Sequence, residues 1–224
     1  MFDLAAISSP YVSLVGKAAL ETVAMTAGST LFSLLLGLPL GVVLCVTSND
    51  NLLPLPFVNN ILGRVVNALR SFPFIILMIL IFPLSRIIVG TTIGTAAAIV
   101  PLSVAAAPFV ARIIESALKE VDPGALQAAK AMGSTNMQII VKVMLPEAKP
   151  SLTAGITLAV INIIGYSAMA GAIGGGGLGD VAIRYGYQRF DTPVLIAAVV
   201  LILFFVEITQ FLGSKIADNM IKKR

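Results

Sequence analysis

The stretch from Gln127 to Pro146, "QAAKAMGSTNMQIIVKVMLP", stands between two long apolar runs and matches neither. It is half polar, carries Lys130 and Lys142, and is interrupted at Gly133. Its local signals spell two short helices. Just upstream, Asp122 is placed to cap the first, with Pro123 at the first helical position, where its missing N–H costs nothing. Gly133 is placed to end that helix in the left-handed conformation that glycine adopts freely. Thr135 followed by Gln138 is a capping-box pattern that opens the second helix, and Pro146 predicts its end. Leu126, Ala129 and Met132 share one side of the first helix; Met137, Ile140, Val141 and Met144 share one side of the second. The segment is therefore amphipathic, and pattern alone leaves it free to lie on a membrane surface or against a partner.

The flanks of this stretch decide its setting. The chain has 224 residues, of which 58% are hydrophobic and 12% charged. With a mean hydropathy of +0.99, this is the composition of an integral membrane protein. Histidine and tryptophan are absent and Cys45 is the single cysteine, which excludes an internal disulfide and a Cys/His metal site. Cys45 itself lies in an apolar run and reads as a small core or lipid-facing residue. The excess of Lys and Arg over Asp and Glu, 15 against 11, is explained by membrane topology and not by nucleic acid, because cytoplasmic loops collect basic residues.

A helix needs about 20 mostly apolar residues to cross the hydrocarbon. Five stretches qualify, at about 21–45, 65–84, 92–114, 151–171 and 193–213. An odd number puts the termini on opposite sides. With the N-terminus outside, Arg64, Arg112, Lys119, Lys130, Lys142, Lys149, Lys215, Lys222, Lys223 and Arg224 fall in the cytoplasm and only Lys17, Arg86, Arg184 and Arg189 outside. The quoted stretch is then cytoplasmic, within a loop over about 115–150. The opening residues "MFDLAAISSP" carry no basic region and no cleavage site, so no removed signal peptide is expected.

The spans are punctuated by Pro39, Pro73, Pro83, Pro101 and Pro108 and by small residues such as "VAAAP" and "GTAAA". Proline frees backbone groups that neighbouring helices must satisfy, and small residues let helices approach, so the spans should bundle. The same small residues are compatible with lining a substrate route. Nothing alternates as a membrane β-barrel would. Ionisable groups inside the membrane are few. Arg70 is near enough to a cytoplasmic helix end to snorkel, and Glu207 has Gln210 on the same helical face as a hydrogen-bond partner. No chain of carboxylates crosses the membrane, which argues against a proton- or sodium-driven carrier. Internal repetition is limited to Pro-Phe at 73–74 and 108–109.

Gly174, Gly176 and Gly179 in "AIGGGGLGD" fit a dinucleotide fingerprint on paper. That motif needs a preceding strand, which an apolar helical run does not supply, so the segment reads as a flexible outer loop. No phosphate loop ending in Gly-Lys-Ser/Thr occurs, so no nucleotide hydrolysis, catalytic residue or bound cofactor is expected in this chain.

At the quoted stretch the chain resembles the permeases of binding-protein-dependent ABC importers. Their cytoplasmic signature is Glu-Ala-Ala, three residues, Gly, nine residues, Ile, one residue, Leu-Pro. Gln127, Ala128, Ala129, Gly133, Val143, Leu145 and Pro146 keep that register, with Gln for Glu and Val for Ile. The resemblance implies that Gln127 to Gly133 is a coupling helix that docks in a groove of a separate ATPase subunit, which binds the ATP and Mg. The Gln removes any ion pair the family's Glu would make there.

From about residue 20 onward, "ETVAMT", "LGLPLGVVL", "RSFPFIIL", "RIIVGTTIG", "AAIVPLSVAAAPFVAR" and "GYSAMAGAIGGGGLGD" are similar to the methionine-importer permeases. This implies an all-α membrane protein of the type I ABC importer permease fold, with five transmembrane helices and a coupling-helix loop. It also implies a homodimer working with two ATPase subunits and a periplasmic or lipid-anchored methionine-binding protein in a bacterial inner membrane, carrying methionine and its D-enantiomer inward. In such a homodimer each chain contributes the same residue to a closure on the two-fold axis. Met169, flanked by Ser167, Ala168, Ala170 and Gly171, is a gate candidate, with core filler as the alternative. The competing functional classes are a secondary transporter or channel that needs no ATPase, and a structural assembly subunit.

Overall fold

The structure, a computed structural model, describes residues 9–49 and 51–222, so the first residues, Lys223 and Arg224 lie outside the described residues. Among the described residues there is no strand. The helices are α1 (Ser9–Val46), α2 (Pro56–Ser71), α3 (Phe74–Val89), α4 (Thr95–Lys119), α5 (Pro123–Ala131), α6 (Asn136–Ile139), α7 (Leu145–Glu147), α8 (Lys149–Ala172), α9 (Gly177–Val181) and α10 (Thr192–Lys222). π-helical turns at Ile140–Met144 and Ala182–Tyr187 follow α6 and α9.

Four helices, α1, α4, α8 and α10, are each long and apolar enough to cross a membrane, and α2 with α3 makes a fifth span if counted as one. That pair is bent by 107°. The expected span at 65–84 therefore runs across two helices. The cause is local: Pro73, at φ −59° and ψ 127°, has no N–H to continue the ladder and forces extended backbone before α3.

By its contacts the chain forms two compact units. The first takes its described residues from the ranges Met1–Ser33, Phe72–Ala106 and Val160–Thr209; the second takes them from Leu34–Ser71, Ala107–Ala159 and Gln210–Arg224. In the first unit Met25, Met78, Leu102 and Ala170 are fully enclosed, and the rings of Phe74 and Tyr166 stack at 4.3 Å. The glycine run belongs here and is not a loose loop. Leu178 is fully buried, the Gly177 N–H donates to Glu21 Oε2 at 2.9 Å, and the Leu178 N–H donates to Thr22 Oγ1 at 2.9 Å. Two orphan donors at the start of α9 are thus satisfied by side chains of α1. The run follows a helix and not a strand, as the rejection of a nucleotide site requires.

In the second unit Cys45, Val110, Ile114 and Leu118 form a core with residues of the loop after α4. Cys45 is a core residue, fully buried, with the Asn51 amide 3.4 Å from its sulfur. The buried Glu115 carboxylate is shared by Arg112 at 2.5 Å and Lys119 at 2.7 Å, all on one face of α4. The expected partner of Glu207 is otherwise engaged: the Gln210 amide donates to Ser214 Oγ at 3.0 Å.

Candidate functional site

The loop between α4 and α8 takes the form its caps dictate. Asp122 accepts from the Gly124 N–H at 3.1 Å and Pro123 opens α5. Gly133 stands at φ +79°; its N–H donates to Lys130 O at 2.9 Å and the Ser134 N–H to Ala129 O at 3.1 Å. These two bonds are a Schellman stop, which satisfies the last carbonyls of α5 and turns the chain. Thr135 and Gln138 then close a full capping box: the Gln138 N–H donates to Thr135 Oγ1 at 3.3 Å and the Thr135 N–H to Gln138 Oε1 at 2.9 Å.

Pro146 does not end the second helix. The backbone widens before it into the Ile140–Met144 π turn, with the Leu145 N–H reaching Ile140 O, and continues through α7. A proline ring crowds the carbonyl four residues back, and one wider turn relieves that contact without stopping the helix.

The structure divides the signature residues into two sets. Ala129 is buried, and Val143 and Leu145 are half-buried; they pack with Ile139, Ile140 and Met144 against the core containing Cys45 and Ile114. These residues fix the loop to its own protein. Pro146 is half-buried beside them. Gln127, Ala128 and Gly133 face outward. Gln127 and Lys130 border a small depression of about 140 Å³ together with Leu52 and Leu126.

The apolar sides of the two helices are divided between core and surface. Met132 is 80% exposed and Met137 68%, and Val141 is also exposed, so these three do not join the core. They form an outward apolar set on either side of Gly133, beside the exposed Gln127 and Ala128. Periodicity grouped them on one side of each helix with Leu126, Ala129, Ile140 and Met144, without saying what that side meets. The available signal was their type, since unbranched, polarisable methionine serves adaptable binding surfaces.

Met169 lies on α8 in the first unit and is 45% exposed. Its expected small neighbours mostly point elsewhere: Ser167 and Ala170 are buried within the unit, and the Ser167 hydroxyl donates to Ile164 O at 2.7 Å. The residues that share the exposed stripe of Met169 are Asn162, Gly165 and Ala172. A Cβ at Gly165 would meet nothing within 4 Å in this chain. Met169 is not enclosed within the core of its own chain.

These features can be set beside known proteins. Residues 33–217 match the family described as binding-protein-dependent transport system inner membrane component. The probable D-methionine transport system permease protein MetI of Vibrio cholerae is 49% identical over 200 residues, 89% of each chain. The methionine import system permease protein MetP of Bacillus subtilis is 46% identical over 182 residues, 81% of this chain and 82% of its own. A solved structure of the MetNI methionine ABC transporter in inward-facing conformations aligns with a TM-score of 0.93 at 44% identity, over 95% of this chain and 99% of that one. With most of its length inside the family's boundaries and its helical frame shared with such a transporter, the chain belongs to the binding-protein-dependent transport system inner membrane components.

Proposed function

We propose that the chain is the transmembrane permease subunit of an ATP-driven importer that moves methionine, including D-methionine, into the cell by alternating access. The observation that carries this reading is the outward surface of the loop, where Gln127, Ala128, Met132 and Met137 stand exposed around a rigid Gly133 stop. An apolar, methionine-bearing surface on a stiff two-helix elbow is suited to a groove on another protein, and a stiff joint passes on that protein's motion. The names of the relatives supply the substrate. This chain hydrolyses nothing itself: ATP and Mg belong to two copies of a cytoplasmic ATPase subunit, and a periplasmic or lipid-anchored binding protein delivers methionine from outside.

The N-terminus lies outside and the C-terminus in the cytoplasm of a bacterial inner membrane. Support comes from the distribution of charge. Lys17, Arg86, Arg184 and Arg189 all belong to the first unit, whereas Arg64, Arg112, Lys119, Lys130, Lys142, Lys149, Lys215 and Lys222 all belong to the second. Co-purification separates this function from a self-sufficient carrier or channel. Gentle extraction is expected to bring down a nucleotide-binding chain in equal number, and a permease that transports alone in lipid vesicles would contradict the reading.

Two copies pair through α8, with Met169 closing the route near the outer face. An exposed asparagine on a lipid-facing stripe would be costly, and the Asn162 side chain has no hydrogen-bond partner among the described residues, so a second copy or water suits this stripe better than lipid. A Met169→Cys substitution in a chain with Cys45→Ala should crosslink between subunits without nucleotide, and less when ATP is trapped. Crosslinking only at a neighbour such as Ile161, and never at position 169, would remove Met169 from the gate.

A further inference from the structure

A cavity of about 340 Å³ in the second unit is unrelated to the exposed loop surface. It is walled by the last turn of α2, the second half of α4 and the first turns of α8, and lined by Arg70, Phe109, Arg112, Ile113, Glu120 and Ser151. Its charges are unevenly satisfied. Arg112 is occupied: it holds Glu115 and donates to Gly63 O at 3.0 Å, while its Nε is buried with no acceptor. Arg70 has its guanidinium 5.8 Å from the centre of the Phe109 ring and makes no ion pair among the described residues. Among the described residues Glu120 accepts only from the Ser151 hydroxyl, at 2.5 Å, and makes no ion pair.

One spare guanidinium and one spare carboxylate thus line the same cavity without neutralising each other. A guanidinium is built to take a carboxylate through two parallel hydrogen bonds, and a carboxylate to take an ammonium. Phe109 and Ile113 add an apolar wall to the same lining, suited to a flexible side chain. The volume lies at the small end of the range used for small-molecule sites. A zwitterionic α-amino acid presents the complement: a carboxylate, an ammonium and, in methionine, an unbranched apolar chain.

We propose that this cavity is a transit site for a free α-amino acid inside the permease, with Arg70 holding its carboxylate, Glu120 its ammonium, and Phe109 and Ile113 its side chain. The assignment rests on the methionine-import reading above. It gives the substrate a stopping place after it leaves the binding protein, weak enough to release it on each cycle.

The test uses the whole complex of permease, ATPase subunits and binding protein, held without nucleotide and irradiated with a photoactivatable diazirine analogue of methionine. Labelled peptides are then mapped. Label is expected between residues 105 and 120, displaced by excess L-methionine but not by its decarboxylated amine. Arg70→Gln and Glu120→Gln should each lower it roughly tenfold, as loss of one charge-assisted hydrogen bond implies, and Arg70→Lys should restore part of it. Uptake by the two neutral variants should fall in maximal rate with the half-saturating external methionine unchanged, because the binding protein sets that concentration. Arg70 and Glu120 are both exposed, so neither neutral variant removes a core contact, and each checks the other should one fail to assemble. Label confined to other segments, or unchanged in both neutral variants, overturns the site while leaving the importer intact. Absence of ATP-driven methionine uptake by the wild-type complex overturns the import reading itself, and the transit site with it.

Discussion

Gly179→Ala should remove most of the assembled permease from a detergent extract. A Cβ at Gly179 would overlap the backbone oxygen of Ala168, and one at Gly171 the backbone nitrogen of Asp180, so α8 and α9 touch backbone to backbone. Backbone cannot rotate aside as the end of a side chain can. Overpacking of this kind costs about 3 kcal/mol or more, and the movement it forces would also pull Gly177 and Leu178 from their bonds to Glu21 and Thr22. The control is Gly16→Ala on α1, where an added Cβ meets nothing within 4 Å. That substitution should leave the yield unchanged or raise it, since alanine is preferred to glycine within a helix by about 1 kcal/mol. Size-exclusion profiles of the two variants check this; equal yields of folded protein would show that the α8–α9 contact is loose.

The second large effect falls on coupling and not on folding. Gly133→Val places a β-branched residue at φ +79°, where strain of about 1–3 kcal/mol is expected. Nothing lies within 4 Å of the new Cβ, so the cost is conformational and confined to the exposed elbow. The variant should express and assemble, and its partner should still hydrolyse ATP. Methionine uptake per ATP should fall by roughly tenfold or more, because 1.4 kcal/mol is already a factor of ten in the population of the correct stop. Gly133→Asn should recover much of it, as asparagine tolerates the left-handed conformation. Full uptake by a well-expressed Gly133→Val variant would show that the elbow does not transmit motion.

Features written in local residue chemistry were legible from the chain itself. The Asp122–Pro123 start, the Gly133 stop and the Thr135–Gln138 capping box each depend on residues within one or two turns, and each forms as expected. The long apolar runs were legible because hydrophobic length is a property of single segments. The 107° bend was not: hydropathy continues across Ser71 to Pro73, and a proline within a span is read as readily as a kink as a break.

The glycine run was misjudged for a related reason. Flexibility and close approach both call for a missing Cβ, and the choice between them depends on Glu21 and Thr22, each 156 residues from its partner. Met132 and Met137 show the third limit. Helical periodicity identifies an apolar face, yet it does not say whether that face meets the chain's own core or another protein. The spare charges of Arg70 and Glu120 were visible only as isolated residues, because nothing in their spacing announces a shared cavity.

The most direct test of the account is uptake of labelled methionine into lipid vesicles holding this chain with its ATPase partner, with the binding protein on one side of the membrane and ATP supplied on the other. Accumulation is expected only with hydrolysable ATP and both partners, and it should persist when proton and sodium gradients are collapsed. Methionine entry that ignores ATP and the partners, or that stops when an ion gradient is removed, would contradict the account.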